Sequence, residues 1–193
     1  MTETRTVAVL VGSLRKGSFS RKVAKAVAAL APRHLKFDIV EIGDLPFFDQ
    51  DLEADPPAAW TAFRQRIAAA DAVLFVTPEY NRSVPAVLKN AIDVGSRPYG
   101  QSVWNGKPGA VISTSIGALG GFGAHHHLRQ SLAFLNVPTL SQPETYIGGA
   151  GELFDEAGQL TNQSTAGFLT GFGQAFADWI ERQLDKPAVD AAA

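Results

Sequence analysis

The sequence contains no cysteine among its 193 residues. Disulfide bonds, thiolate metal sites and a cysteine nucleophile are therefore excluded. Any oxidation or reduction in which the chain takes part must depend on a bound cofactor, because there is no protein thiol to carry electrons.

Long hydrophobic runs are absent as well. No apolar run approaches the roughly 20 residues that cross a bilayer, and the polar residues 1–5 lack the apolar core of a secretory signal. We therefore expect a cytoplasmic protein without a membrane partner.

Neither sign of charge is in large excess. The 17 Lys and Arg residues against 19 Asp and Glu residues give a formal net charge of −2. A nucleic-acid-binding protein usually carries a basic surface, and a small electron-carrier protein is expected to be strongly acidic. The composition disfavours both classes, and we expect no nucleic-acid partner.

Five apolar segments alternate with five stretches of helical pattern. The apolar segments are residues 7–11, 37–40, 72–76, 110–112 and, more weakly, 137–140, and the helical stretches are residues 20–30, 58–69, 85–94, 124–135 and 166–184. Continuous apolar strands are typical of a parallel sheet that helices cover on both faces. The alternation predicts a single α/β domain over residues 1–193, a flavodoxin-like three-layer sandwich whose five-stranded parallel sheet has the order 2-1-3-4-5. Residues 185–193 are expected to form a flexible tail.

The loop after the first strand reads GSLRKGSFS over residues 12–20. A helix that begins near Ser20 would direct its free N–H groups and partial positive charge at this loop, an arrangement typical of a phosphate site. Ser13, Ser18 and Ser20 add hydroxyl donors. Arg15 adds a guanidinium group suited to a phosphate dianion.

Two common phosphate motifs are missing from this loop. Ser18 and Phe19 stand where a nucleoside-triphosphate loop needs Lys followed by Ser or Thr, and Leu14 replaces the second glycine of the dinucleotide fingerprint. The loop therefore fits a single terminal monophosphate, such as that of FMN. The alternative interpretation from these residues is a solvated turn that ends in a serine helix cap.

A second loop follows the third strand and contains Pro78, Glu79, Tyr80 and Asn81. In the predicted strand order it lies beside the first loop, at the carboxyl end of the sheet. The tyrosine ring can stack on a planar ligand, and the asparagine amide can bond ring carbonyls and nitrogens. The alternative is a half-buried packing tyrosine.

A third loop, residues 114–123, follows the fourth strand and contains four glycines, which permit close approach of the backbone to a flat ligand. Ser113 stands where a nucleophile elbow around Ser115 needs glycine, so esterase chemistry is not expected. His125, His126 and His127 come next. Because neighbouring residues on a helix point about 100° apart, we expect no metal site there.

These motifs together resemble the NAD(P)H-dependent FMN reductase family, a flavodoxin-like group that includes quinone, azo-dye and chromate reductases. The motifs are GSLRKGSF at residues 12–19, PEYN at 78–81, SVP at 83–85, LKNA at 88–91, GALGG at 117–121 and HLRQ at 127–130. The resemblance implies that FMN is bound by Ser13, Arg15, Ser18, Phe19, Ser20, Pro78, Glu79, Tyr80, Asn81, Ser115 and Gly117. The serines at 13, 18 and 20 with Arg15 would hold the phosphate, residues 78–81 would line the isoalloxazine ring, and Ser115 and Gly117 would contribute from the loop after the fourth strand.

The resemblance also implies an activity. It predicts an enzyme that transfers hydride from NADPH or NADH to flavin N5 in a ping-pong cycle and then reduces quinones or other electron-poor acceptors, such as chromate, azo dyes or free flavin. No protein acid or base is required, and Tyr80 would shape the site. The resemblance further implies a homodimer or homotetramer. Arg82 stands where relatives often have an aromatic or hydrophobic residue, and we hypothesise an ion pair between Arg82 and Glu144 across a subunit contact.

Two other functions stay open at this point. One is a flavodoxin-type carrier that transfers electrons between proteins and does not react with nicotinamide. The other is a hydrolase or phosphate-binding domain with no redox chemistry, which would be colourless when purified.

Overall fold

The apolar segments form one five-stranded parallel sheet in the computed structural model, which describes residues 3–185. The strands are β1 (Arg5–Val11), β2 (Leu35–Val40), β3 (Ala72–Thr77), β4 (Gly109–Thr114) and β5 (Thr145–Ile147). They lie in the order 2-1-3-4-5 and every neighbouring pair is parallel, so the predicted topology is confirmed.

Five α-helices connect and follow the strands. They are α1 (Phe19–Leu30), α2 (Ala58–Ala68), α3 (Ala86–Ser96), α4 (Phe122–Phe134) and α5 (Gln163–Leu184), together with two short 3₁₀ helices, Gln50–Ala54 and Ala150–Glu152. Side chains cap two of the α-helices, because Ser18 accepts a hydrogen bond from the Arg21 amide and Asn162 accepts one from the Thr165 amide. Helix α4 instead begins after Gly121, whose φ of 81° requires glycine.

Helices cover both faces of the sheet, as continuous apolar strands require. Alternate residues of β1 point to opposite faces, with Val7 and Val9 on one side and Ala8 and Leu10 on the other. The first core contains side chains of α1 and α5, and the second contains side chains of α2, α3 and α4. The sheet is therefore the middle layer of three.

The position predicted for the fifth strand is wrong. Residues 137–140 form a single isolated bridge, between Thr139 and Gly109, and the strand that pairs with β4 is Thr145–Ile147. Pro138 explains the difference, because proline has no N–H to donate to a ladder. Its carbonyl accepts a bond from the Gly109 amide, the Leu140 amide donates one to the Gly109 carbonyl, and no ladder extends beyond this bridge in the described chain.

The two ends of the described chain are tied together at the amino end of the sheet. Arg5, at the start of β1, donates two hydrogen bonds of 2.9 and 3.0 Å to the Glu181 carboxylate near the end of α5. This fork-to-fork geometry raises the pKa of Arg5 and lowers that of Glu181.

The structure places two further limits on the predictions. None of the helices within residues 3–185 combines the length and the apolar composition needed to cross a membrane. The tail predicted over residues 185–193 lies, apart from Asp185, outside the described residues.

Candidate functional site

An open cleft of about 190 Å³ lies at the carboxyl ends of β1, β3 and β4, where the winding of the sheet reverses. Its lining residues are Ser13, Arg15, Ser18, Phe19, Ser20, Pro78, Glu79, Tyr80, Thr114, Ser115 and Ile116. All the predicted binding residues line this cleft except Asn81 and Gly117. Three loops that are distant in sequence therefore meet at one site.

The first loop presents hydroxyl groups at the amino end of α1. Ser13, Ser18 and Ser20 are all buried, and Arg15 is exposed at the rim. Helix α1 has no acidic residue in its first turn, so nothing there opposes an anion. The Ser18 hydroxyl also caps the helix, at 3.2 Å from the Arg21 nitrogen. The serine-cap interpretation is thus correct for Ser18, and the same hydroxyl also lines the cleft.

Gly12 holds the first loop close to the second. A Cβ at this position would lie 3.1 Å from Thr77 Oγ1 and 3.2 Å from Pro78 Cδ. A side chain here would push the two loops apart, so the absence of one narrows the floor of the cleft.

The second loop ends in a two-residue hairpin turn. The amides and carbonyls of Tyr80 and Ser83 exchange hydrogen bonds of 3.0 and 2.9 Å, and Asn81 and Arg82 have φ values of 50° and 66°. Positive φ at both central residues defines a type I′ turn, which asparagine tolerates well. The turn sets Tyr80 at the cleft with about half of its surface exposed, and Asn81 is not among the lining residues.

Glu79 joins the second loop to the third. Its Oε2 accepts a hydrogen bond of 3.1 Å from the Ala124 amide in the first turn of α4, and its Oε1 lies 3.1 Å from Arg82 Nη1. The carboxylate is therefore fixed at a helix amino end and by an ion pair within the chain. Sequence reasoning had placed Glu79 at the ring; the geometry adds a positioning role that links two walls of the cleft. The pairing of Arg82 with Glu144 of another subunit stays a prediction.

The third loop is held by β5 and by the Ser115 side chain. The Ser115 amide donates to the Ile147 carbonyl at 2.9 Å, and the Ser115 hydroxyl accepts from the Gly117 amide at 3.1 Å. Gly120 adopts a φ of 59°, and a Cβ there would lie 2.7 Å from the backbone of Tyr146. The loop thus packs tightly on β5, while Ile116 lines the cleft and stays largely exposed.

Sequence reasoning missed Thr114, the last residue of β4. This residue is buried and lines the cleft, and its hydroxyl has no hydrogen-bond partner within residues 3–185. A buried hydroxyl without a partner is costly unless a ligand bonds to it. Its position at the carboxyl end of a buried strand was the available signal, since Thr77 ends β3 in the same way.

The donor set of the cleft fits FMN. A helix amino end, three buried hydroxyls and Arg15 supply what a phosphate needs, and the unpartnered Thr114 hydroxyl supplies a further polar contact. The narrow floor and the Tyr80 ring suit a flat ring system. The cleft volume of about 190 Å³ is below the roughly 300 Å³ at which typical ligand pockets begin, so the cleft alone would leave part of a bound flavin exposed.

The three adjacent histidines diverge. His126 Nε2 lies 3.0 Å from the Tyr146 hydroxyl, His127 Nδ1 lies 3.0 Å from Ser83 Oγ, and His125 is buried. Burial, with smaller effects of the Arg129 and His126 charges, lowers the pKa of His125 to about 3. Within the described part of the chain, no three His, Asp or Glu side chains are grouped so that they could hold a metal ion.

Known proteins resemble the chain along most of its length. A family model described as NADPH-dependent FMN reductase matches residues 5–152. The chain is 60% identical over 182 residues to a quinone reductase of Pseudomonas putida, which covers 94% of this chain and 97% of that protein. It is 49% identical over 174 residues to a 2-hydroxy-1,4-benzoquinone reductase of a Burkholderia species, with 90% and 95% covered. Among solved structures, FerB, a flavoenzyme NAD(P)H:(acceptor) oxidoreductase from Paracoccus denitrificans, superposes with a TM-score of 0.88 at 47% identity, covering 93% of this chain and 98% of FerB.

Proposed function

The chain belongs to the NADPH-dependent FMN reductase family, and on this basis we propose that it is an FMN-dependent NAD(P)H oxidoreductase that reduces quinones. Relatives at 60% and 49% identity bear the names of quinone and benzoquinone reductases. These names favour a reductase over an electron carrier. The observation that carries the proposal is the meeting of the three loops at one cleft beside β1 and β3.

The first loop would hold the phosphate of FMN. The hydroxyls of Ser13, Ser18 and Ser20 and the amide groups of the first turn of α1 would donate to its oxygens, and Arg15 would pair with its charge from the rim. Because Ser18 already accepts a bond from the Arg21 amide, its own proton is free to point at the ligand.

The second and third loops would hold the ring. Pro78 and Tyr80 would bound one side, and Thr114 and Ser115 would offer polar contacts from the end of β4. Glu79 would keep these walls in register through its bond to α4. Asn81 and Gly117 do not line the cleft. They stay predicted contacts, and their loops would have to move slightly to reach the ring.

When bound, FMN supplies two-electron chemistry between a nicotinamide and an acceptor. The protein would hold the flavin and the substrates in position and would not transfer protons itself. The described cleft residues include no free acid or base, because the Glu79 carboxylate is bonded to the Ala124 amide of α4 and paired with Arg82. Tyr80 would orient planar substrates by stacking. A flat, open surface discriminates weakly between acceptors, which supports a range that includes quinones, chromate, azo dyes and free flavin.

The absorption spectrum of the purified protein tests this function. We expect flavin bands, either as isolated or after addition of FMN, then bleaching by NADPH or NADH without oxygen and recovery on addition of a benzoquinone. A protein that stays colourless after incubation with FMN would contradict the proposal. A flavin that binds and is not bleached by either nucleotide would favour the electron carrier.

We also propose homo-oligomeric assembly, because large apolar side chains are exposed around the cleft and on α4. Ile116, Leu119 and Phe122 are 74%, 64% and 51% exposed, and Phe134 is 89% exposed. An exposed apolar patch of this kind is typical of an interaction surface. Light scattering should give at least twice the chain mass, and a monomer at micromolar concentration would refute assembly. A cytoplasmic location stays a prediction.

A further inference from the structure

A second groove, of about 390 Å³, runs along the outer side of α1 beside the first loop. We call it the basic groove and define it by Lys16, Arg21, Lys22 and Lys25 on one wall and Gly158 to Leu160 on the other. Its volume lies within the range of about 300–1,000 Å³ that is typical of ligand sites. Ser18 lines both this groove and the cleft, so the two sites share a wall.

Positive charge is concentrated in the basic groove although the chain as a whole has a net charge of −2. Arg21 is neutralised by a bidentate pair with Glu41, with distances of 2.7 and 2.6 Å. In the described part of the chain, Lys16, Lys22 and Lys25 have no carboxylate within ion-pair distance, and no acidic side chain lines the groove. Three cations therefore remain available to an anionic ligand.

In the far wall, Asp155 is bonded within its own loop and Gly158 leaves room for a lysine side chain. Asp155 turns its carboxylate back to the Gln159 amide, at 2.8 Å, and so closes its own loop. Gly158 adopts a φ of 81°, and a Cβ there would lie 3.4 Å from Lys22 Cε. The glycine therefore lets the lysine stem lie flat against the loop.

Lys22 is held in place by aromatic rings. Its ammonium group lies 5.4 Å from the centre of the Phe19 ring and 5.6 Å from that of the Phe154 ring. The two rings stack on each other at 6.5 Å. A positioned lysine recognises an anion at lower entropic cost than a free surface lysine does, which distinguishes this groove from a solvated helix face.

We infer that the basic groove binds the phosphorylated adenosine end of NADPH, an inference that rests on the proposed function. The hydride donor of that function must place its nicotinamide at the cleft, and its adenosine end carries a pyrophosphate and a 2′-phosphate. The basic groove adjoins the cleft across Ser18 and offers unpaired cations to these groups. Ala26 and Ala29 of α1, with Leu160 on the opposite wall, offer apolar contact to the adenine. The groove thus selects NADPH over NADH.

Steady-state kinetics of the holoenzyme test this assignment. In a Lys22→Met, Lys25→Met double variant the stems remain and the charges are lost. We expect the KM for NADPH to rise about tenfold, the loss that corresponds to about 1.4 kcal/mol, with kcat and FMN content unchanged. The KM for NADH, which lacks the 2′-phosphate, should rise several-fold less. Lys36→Met is the matched control, because Lys36 is an exposed lysine on β2 that does not line the groove.

Direct binding gives a second measurement on the wild-type holoenzyme. Adenosine 2′,5′-bisphosphate should bind by calorimetry, compete with NADPH and lose about tenfold in affinity in the double variant, whereas adenosine 5′-monophosphate should bind more weakly. Equal changes in the KM values of NADPH and NADH, no change in either, or loss of FMN from the double variant would each overturn the assignment. Failure of both nucleotides to bleach the wild-type flavin would instead refute the proposed function.

Discussion

At the scale of single residues, the hydroxyls around the cleft differ in what they bond to within the chain. Ser18 caps α1, Ser115 accepts from the Gly117 amide, and Thr114 has no partner within residues 3–185. Removing a hydroxyl that is already bonded alters the fold as well as the site. Removing the Thr114 hydroxyl breaks no bond within the described chain, so its effect on FMN affinity reports the ligand contact alone.

Thr114→Val keeps the shape of the side chain and removes its hydroxyl. We expect the affinity for FMN to fall by roughly five- to tenfold, as is usual for a lost hydrogen bond worth about 1–1.5 kcal/mol. Titration of the apoprotein with FMN, followed by flavin fluorescence, measures this.

Thr145→Val is the matched control, because Thr145 is buried on β5 and bonds the Pro143 carbonyl at 3.2 Å. It should lower the melting temperature and leave FMN affinity unchanged. If Thr114→Val binds FMN as the wild type does and instead melts earlier, the hydroxyl has a structural role and our assignment is wrong.

His125 makes the stability of the protein depend on pH. Because its pKa is lowered from 6.5 to about 3 in the folded chain, the unfolded chain binds more protons between these values. Stability therefore rises with pH across that interval and is lost as the pH falls. His125→Leu should remove up to about 1.4 kcal/mol per pH unit of this slope.

Denaturant unfolding at pH 5.0, 5.5, 6.0 and 6.5 measures the slope above the range in which carboxylates titrate. The ion-paired Asp38, Glu41 and Glu181, whose pKa values are lowered, lose their contribution only below this range. Parallel slopes for the wild type and His125→Leu would show that His125 does not control the dependence.

At the scale of elements, the sequence predicts the buried strands and their helices well and the fifth strand poorly. Strands β1, β3 and β4 are continuous apolar runs, so burial on both faces is visible in their residues. Strand β5 has only three residues, Thr145 to Ile147, and it is a strand because it pairs with β4, a contact that the local sequence does not reveal. The run at residues 137–140 is more apolar, but Pro138 prevents it from continuing the ladder.

Part of the candidate site could likewise be predicted from the sequence and part could not. Which loops contribute could be predicted, because the carboxyl ends of neighbouring strands meet at one edge of the sheet. The hydrogen bond that the Ala124 amide donates to Glu79 joins residues 45 positions apart and has no local signature. Thr114 was missed because it was counted as the first residue of the third loop, whereas the structure ends β4 at this residue and buries its hydroxyl. The binding of FMN by these residues stays a prediction.

Helix α3 packs against an indole through a glycine, and this contact predicts a cost for any side chain there. A Cβ on Gly95 would lie 2.5–2.6 Å from atoms of the buried Trp104 ring. Gly95→Ala should therefore destabilise the protein by about 1–3 kcal/mol, as overpacked cores do, measured by denaturant unfolding.

Gly171→Ala is the control for that substitution. It lies in the exposed side of α5, where a Cβ would meet nothing within 4 Å. Alanine should stabilise this helix by about 0.5–1 kcal/mol. A Gly95→Ala variant as stable as Gly171→Ala would contradict the tight packing of α3 on Trp104.

At the scale of the whole molecule, the site is assembled from loops that follow three different strands, so ligand binding and folding are linked. FMN at 100 times its dissociation constant should stabilise the protein by about 2.7 kcal/mol. Thermal unfolding with increasing FMN measures the rise in melting temperature.

Riboflavin is the matched ligand for this measurement, because it has the ring of FMN and no phosphate. Its shift should be much smaller if the hydroxyls of the first loop and the amino end of α1 hold the phosphate. Equal shifts with the two flavins would place the binding energy in the ring contacts alone.

The fork between Arg5 and Glu181 brings the beginning and the end of the described chain to one edge of the molecule. That edge is at the amino end of β1, and the cleft opens at the carboxyl end. A label attached at the exposed Glu3 or Asp185, the ends of the described range, would thus start from the side away from the cleft. The same proximity makes a chain trimmed to residues 3–185 suited to circular permutation, with a short linker between those two residues and new ends cut in a surface turn.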